Sequence, residues 1–96
     1  MMILVTYDIK TDTSDGQYRL RKISEICKDY GQRVQNSVFE CTIEPTQSIE
    51  LKNKLTNIMN EDVDSIRIYN LGSNWNNRVE HLGAKKPYNP EGPLII

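Results

Sequence analysis

Residues 33–43 read RVQNSVFECTI, and the phase of their apolar positions decides the fold. Val34 and Val38 fall in one phase together with Asn36, whereas Phe39, Cys41 and Ile43 fall in the other. Side chains on a strand change face at every residue, so a slip inside a β-rich run requires a bulge or a tight turn. Asn36-Ser37 has turn chemistry. The segment therefore reads as two short strands joined at that dipeptide.

Working outward, residues 2–9 are apolar and β-branched and predict a strand buried on both faces, hence central. The polar turn over residues 11–16 offers Ser14 or Asp15 as a helix N-cap. Leu20, Ile23, Ile26 with Cys27, and Tyr30 then recur at helical spacing, ending at Gly31 in the expected C′ position. On the other side, Pro45-Thr46 starts a second helix with Leu51, Leu55, Ile58 and Met59 as its apolar stripe. Residues 65–71 alternate around Ile66 and Ile68 and read as a strand. The order is β-α-β-β-α-β. Two βαβ halves of this length define an α+β, ferredoxin-like sandwich with both helices on one face of an antiparallel sheet.

Residues 1–72 hold that pattern, and residues 73–96 add a C-terminal loop and strand to the same single domain. Val79 to Leu82 are expected to form a short strand. Pro87, Pro90 and Pro93 punctuate a tail that ends Leu94-Ile95-Ile96. Three large aliphatic residues at a terminus need cover. Either the tail folds back on its own sheet, or it adds a strand to a second subunit and enlarges a small core.

Composition excludes several classes. With 96 residues, a net charge of −1 and 38% hydrophobic residues, the chain is one ordinary globular domain without the bulk basicity of a sequence-independent nucleic-acid binder. The charge is unevenly distributed, however. Arg19, Arg21, Lys22, Lys28 and Arg33 face only Glu25 and Asp29 along one stretch, and Glu61, Asp62 and Asp64 crowd another. Cys27 and Cys41 read as buried hydrophobes rather than a disulfide scaffold or zinc site. His81 has no Cys or His at ligand spacing, and neither a glycine-rich phosphate loop nor a nucleophile elbow is present. No membrane span or leader is expected, and a cytoplasmic location follows.

Asp8 is the residue with the most chemical promise. A carboxylate at the end of a buried strand must be solvated, paired or bound to a cation. One reading makes it a cap for the following loop. The other makes it a ligand for a hard cation such as Mg²⁺. A single carboxylate is a thin site, but a two-fold axis can bring the same residue from two chains together, so that two Asp8 carboxylates share one metal. The basic residues read either as a solvated helix face or as phosphate contacts. Lys85 and Lys86 form a second small basic patch, preceded by Trp75, an expected core or interface anchor, and Arg78.

The N-terminal VTYD, the segment GQRVQNSVFE over residues 31–40 and the tail RVEHLGAKKPYNPEGPLI together resemble the CRISPR-associated protein 2 family, with a tail similar to the I-C subtype. The resemblance spans essentially the whole chain. It implies a homodimer in which the C-terminal strand packs on the partner's sheet, and a divalent metal (Mg²⁺) between the Asp8 residues of the two chains. It further implies metal-dependent endonuclease activity on double-stranded DNA or RNA, and assembly with the CRISPR-associated protein 1 integrase during spacer acquisition. There the dimer bridges the integrase and holds DNA, so a non-catalytic scaffold is the alternative role. Carried onto this chain, Asp8 is the catalytic and metal residue, with Tyr7, Arg33, Ser37 and Phe39 in support. Arg19, Arg21, Arg33, Arg78 and Lys85 are the expected nucleic-acid contacts. A ferredoxin-like module binding a small metabolite is a third reading that the fold alone permits.

Overall fold

The structure is a computed structural model and describes residues 1–84. The expected C-terminal strand beyond that point, and Lys85 with it, lie outside the described residues. The elements run β1 (Met2–Asp8), α1 (Ser14–Lys28), β2 (Gln32–Gln35), β3 (Val38–Thr42), α2 (Pro45–Ile58) and β4 (Ser65–Gly72), then a 3₁₀ turn, Trp75–Asn77. The sheet order is β2-β3-β1-β4, with every neighbouring pair antiparallel. This is the ferredoxin-like α+β arrangement. Among the described residues no helix is long and apolar enough to cross a membrane.

Both devices that the phase slip allowed are present. Residues 36 and 37 turn between β2 and β3, and the register also shifts between Arg33 and Gln35. Val34 is the extra residue of that bulge and is left exposed.

One apolar layer joins the sheet to the helices. Ile3, Val5 and Tyr7 of β1 and Phe39 and Cys41 of β3 meet Ile23 and Cys27 of α1 and Leu51 and Leu55 of α2. Within a strand the alternate residues point the other way. Leu4, Thr6 and Asp8 therefore share the opposite face with Val38 and Glu40 and with Arg67 and Tyr69, their ladder partners. β1 is central as expected, but only its helix-side face is fully buried. Leu4 and Thr6 are half-buried and Asp8 is exposed, because both helices lie on the other side.

Three local expectations are corrected. The N-cap of α1 is Thr13, not Ser14 or Asp15: its extended backbone lets Oγ1 accept the Gly16 N–H at 3.1 Å. Asp15 instead lies in the first turn, where the helix dipole favours its charge. Gly31 is not a left-handed cap, since the glycines with positive φ are Gly72 and Gly83. Its missing Cβ matters for another reason: a methyl group there would collide with the Glu40 carbonyl and the Cys41 side chain. Finally, Val79 to Leu82 form no strand. Nothing among the described residues pairs with them, and Leu82 is 88% exposed.

Candidate metal and nucleic-acid site

Asp8 is the last residue of β1, opposite Ser65 in the ladder with β4. Its side chain is on the helix-free face and exposed. No hydrogen bond or ion pair among the described residues engages its carboxylate. The oxygens are thus open to a hard cation, which accepts one or two carboxylates and completes its shell with water and phosphate oxygens. The described residues of a single chain offer no more than this. No group of three or more His, Cys, Asp or Glu side chains converges among the described residues, and Asp12 turns instead to Lys10 at 3.8 Å.

The expected supporting residues are brought together, but on the opposite side of the sheet. Tyr7, Arg33 and Ser37 line a depression of about 460 Å³ with Gln17, Leu20, Arg21, Ser24 and Asn36. Tyr7 follows the alternation of β1 and so points away from the face Asp8 occupies. Its ring stacks on Phe39, with centroids 6.3 Å apart and planes 23° from parallel. Its hydroxyl donates to the Asn36 carbonyl at 3.4 Å, and the Ser37 carbonyl accepts the Tyr7 N–H at 3.1 Å. The Arg33 guanidinium lies 5.1 Å above the Phe39 ring and donates to Ser24 Oγ. Tyr7 and Phe39 therefore brace the strand that carries Asp8 from beneath, rather than lining its surroundings.

Arg19 departs furthest from expectation. It points into the protein, where Nε donates to Asp64 Oδ2 at 2.7 Å and Nη2 to Oδ1 at 3.3 Å. The Arg19 side chain keeps 14% exposure and that of Asp64 none. A guanidinium held at two points by a covered carboxylate is not presented to a phosphate. Its hydrogen bond to Asp64 raises its pKa further. For Asp64, burial opposes ionisation, but the hydrogen bonds from Arg19 and from the Asn60 and Lys10 amides outweigh it and hold the carboxyl below its ordinary range.

Among the other basic residues, Arg21 is on the exposed face of α1, 3.9 Å from Glu25 and 5.4 Å from the Tyr18 ring centroid. Arg78 folds back and donates from Nη1 to the Leu71 carbonyl at 3.1 Å. Trp75 is half-buried at the start of the 3₁₀ turn. His81 is exposed, with its Nε2 2.8 Å from the Ala84 carbonyl. Cys27 and Cys41 are fully buried, and desolvation pushes their thiols up to about 12 and about 11.

Sequence reasoning missed Asp64, which stands in the sequence as one acid of the crowded run with Glu61 and Asp62. It also missed the polar neighbours Gln17, Ser24 and Asn36. Arg19 and Asp64 are 45 residues apart, and no local pattern ties them.

Comparison with known proteins agrees with this architecture. Residues 1–79 match the family model described as CRISPR associated protein Cas2. A relative from Chlorobaculum tepidum named CRISPR-associated endoribonuclease Cas2 is 55% identical over 96 residues, covering 100% of both chains. One from Halalkalibacterium halodurans, named CRISPR-associated endonuclease Cas2, is 52% identical, again covering 100% of both. The crystal structure of Streptococcus pyogenes Cas2 at pH 6.5 superposes with a TM-score of 0.75 and 57% identity, covering 86% of this chain and 100% of that one. A chain of a partial Cas6-RT-Cas1–Cas2 complex superposes with a TM-score of 0.64 and 28% identity, covering 84% and 89%. Matched along most of its length by the family model and along all of it by these relatives, the chain belongs to the CRISPR-associated protein Cas2 family.

Proposed function

We propose that this chain is a homodimeric, divalent-metal-dependent nuclease subunit of CRISPR spacer acquisition, hydrolysing phosphodiester bonds in RNA or double-stranded DNA. The observation that carries the reading is the exposed Asp8 carboxylate at the end of the central strand, which no described residue engages. The names of the relatives, endoribonuclease and endonuclease, support the reaction class. The structural neighbour from a complex containing Cas1 supports an integrase as partner.

In this reading Asp8 is one carboxylate of a site completed by Asp8 of a second copy. A bound Mg²⁺ would lower the pKa of a water and neutralise charge on the scissile phosphate. Asp8 would hold the ion, and β1 fixes Asp8. Of the expected basic contacts, Arg21 and Arg78 are exposed, and Lys85 joins them as a proposed contact. Arg33 stiffens the β2–β3 edge from the helix side.

Purified protein incubated with RNA and duplex oligonucleotides and Mg²⁺ tests the proposal. Cleavage is expected in wild type and lost on chelation, with Asp8→Asn slower by roughly 100-fold or more. An Asp8→Asn variant as fast as wild type would remove the catalytic role.

One observation favours a second reading, a DNA-bridging scaffold: each chain supplies one carboxylate and no further convergent acid among its described residues. Spacer acquisition in cells separates the two. The scaffold reading expects acquisition to survive Asp8→Asn and to fail when the chain after Arg78 is deleted.

A further inference from the structure

The end of β1 that carries Asp8 is gripped by one buried carboxylate. Asp64 directly precedes Ser65, the residue opposite Asp8 in the ladder. Asp64 Oδ1 accepts the backbone N–H of Lys10, two residues beyond Asp8, at 3.1 Å. Asp64 Oδ2 accepts the Asn60 N–H at 2.9 Å, and the Asp64 N–H donates to the Asn60 carbonyl at 2.8 Å. The Arg19 fork closes the arrangement from α1. Three segments thus meet on one side chain: the loop leaving β1, the first half of α1 and the turn entering β4.

This placement is more specific than a stabilising ion pair requires. A buried pair contributes little net stability once desolvation is counted, but it fixes geometry, since any displacement leaves a charge unpaired. The β1–β4 ladder ends at Asp8 and Ser65, and the last position of a strand is where opening begins. Asp64 holds the backbone on both sides of that position. It is continuous with Ser65 on β4, and it holds Lys10 just past Asp8.

We infer that Asp64, locked by Arg19, is the positioning residue that keeps Asp8 in place for metal binding and cleavage. The inference rests on the reading of Asp8 as a metal ligand given above. Asp64 touches neither metal nor nucleic acid; it acts through the backbone of residues 8–10.

The test compares wild type with Asp64→Asn, at a temperature where circular dichroism shows both folded. An Asn side chain cannot accept from both backbone amides and from Arg19 at once. Three experiments are run: amide exchange at Ile9 and Lys10, Mn²⁺ affinity from paramagnetic broadening around Asp8, and steady-state kinetics giving kcat and KM for an oligonucleotide with Mg²⁺. The inference expects exchange at least about tenfold faster and weaker Mn²⁺ binding, with kcat down roughly 10–100-fold at nearly unchanged KM. A folded variant with wild-type exchange, or with wild-type kcat and Mn²⁺ affinity, overturns it. If wild type binds Mn²⁺ but cleaves nothing, the nuclease reading fails by itself, and exchange and Mn²⁺ affinity still decide the positioning role. A wild type that binds no Mn²⁺ sinks the reading of Asp8 and the inference with it. Should Asp64→Asn not fold, Arg19→Lys, which keeps a cation but loses the two-point grip, is judged by the same quantities.

Discussion

Asp64 stays charged inside the protein because Arg19 Nε and Nη2 and the Lys10 and Asn60 amides all donate to it. Its pKa is therefore depressed in the folded state, so the unfolded chain binds more protons as the pH falls. The stability that Asp64 contributes is complete above the ordinary carboxylate range. It is lost as the pH drops through the folded value. Melting temperature measured from about pH 7 to about pH 3 should fall more steeply in wild type than in Asp64→Asn, which has no such group to protonate. The two thiols act at the other end of the scale. Burial raises Cys27 to about 12 and Cys41 to about 11 from 9.0, so here the unfolded chain loses its protons first. Their contribution is complete below about pH 9 and disappears as the pH climbs through the folded values. At neutral pH neither thiol should react with a disulfide reagent until the protein unfolds; stoichiometric labelling of the native protein would contradict their burial.

Among the elements, Gly31 makes the sharpest prediction. It lies just before β2 and against Glu40 and Cys41 of β3, without room for a Cβ. Gly31→Ala should cost about 1–3 kcal/mol in urea unfolding, through forced displacement of the β2–β3 edge. A left-handed cap position would also penalise alanine, but through backbone conformation, and Gly31 does not have a positive φ. The elements themselves were legible because each has its own period. Ile23 and Cys27 recur at helical spacing, Ile66 and Ile68 alternate, and the phase slip at Asn36-Ser37 separates β2 from β3. The caps were less legible, since Thr13, Ser14 and Asp15 all suit an N-cap and only the backbone angles choose among them. Asp8 was legible as a carboxylate at a strand end. The partner of Arg19 was not, because a pairing across 45 residues depends on tertiary packing. The opposite facing of Tyr7 and Asp8 is a consequence of strand alternation, which separates two neighbours in sequence that the family resemblance places in one site.

At the scale of the whole molecule, two helices cover one face of the sheet, while Leu4, Thr6, Asp8, Arg67 and Tyr69 share the other. A domain of this size gains core by covering such a face with a second copy. The functional reading follows from the same geometry. In the proposed reading one chain supplies half of a metal site, so that pairing across a two-fold axis and metal binding would belong to a single event. The direct measurement is the stoichiometry of Mn²⁺ bound to the purified protein, by equilibrium dialysis, alongside Asp8→Asn as control. The account predicts one ion for every two chains in wild type and none at that site in the variant. One ion per chain, or binding that Asp8→Asn leaves intact, would contradict it.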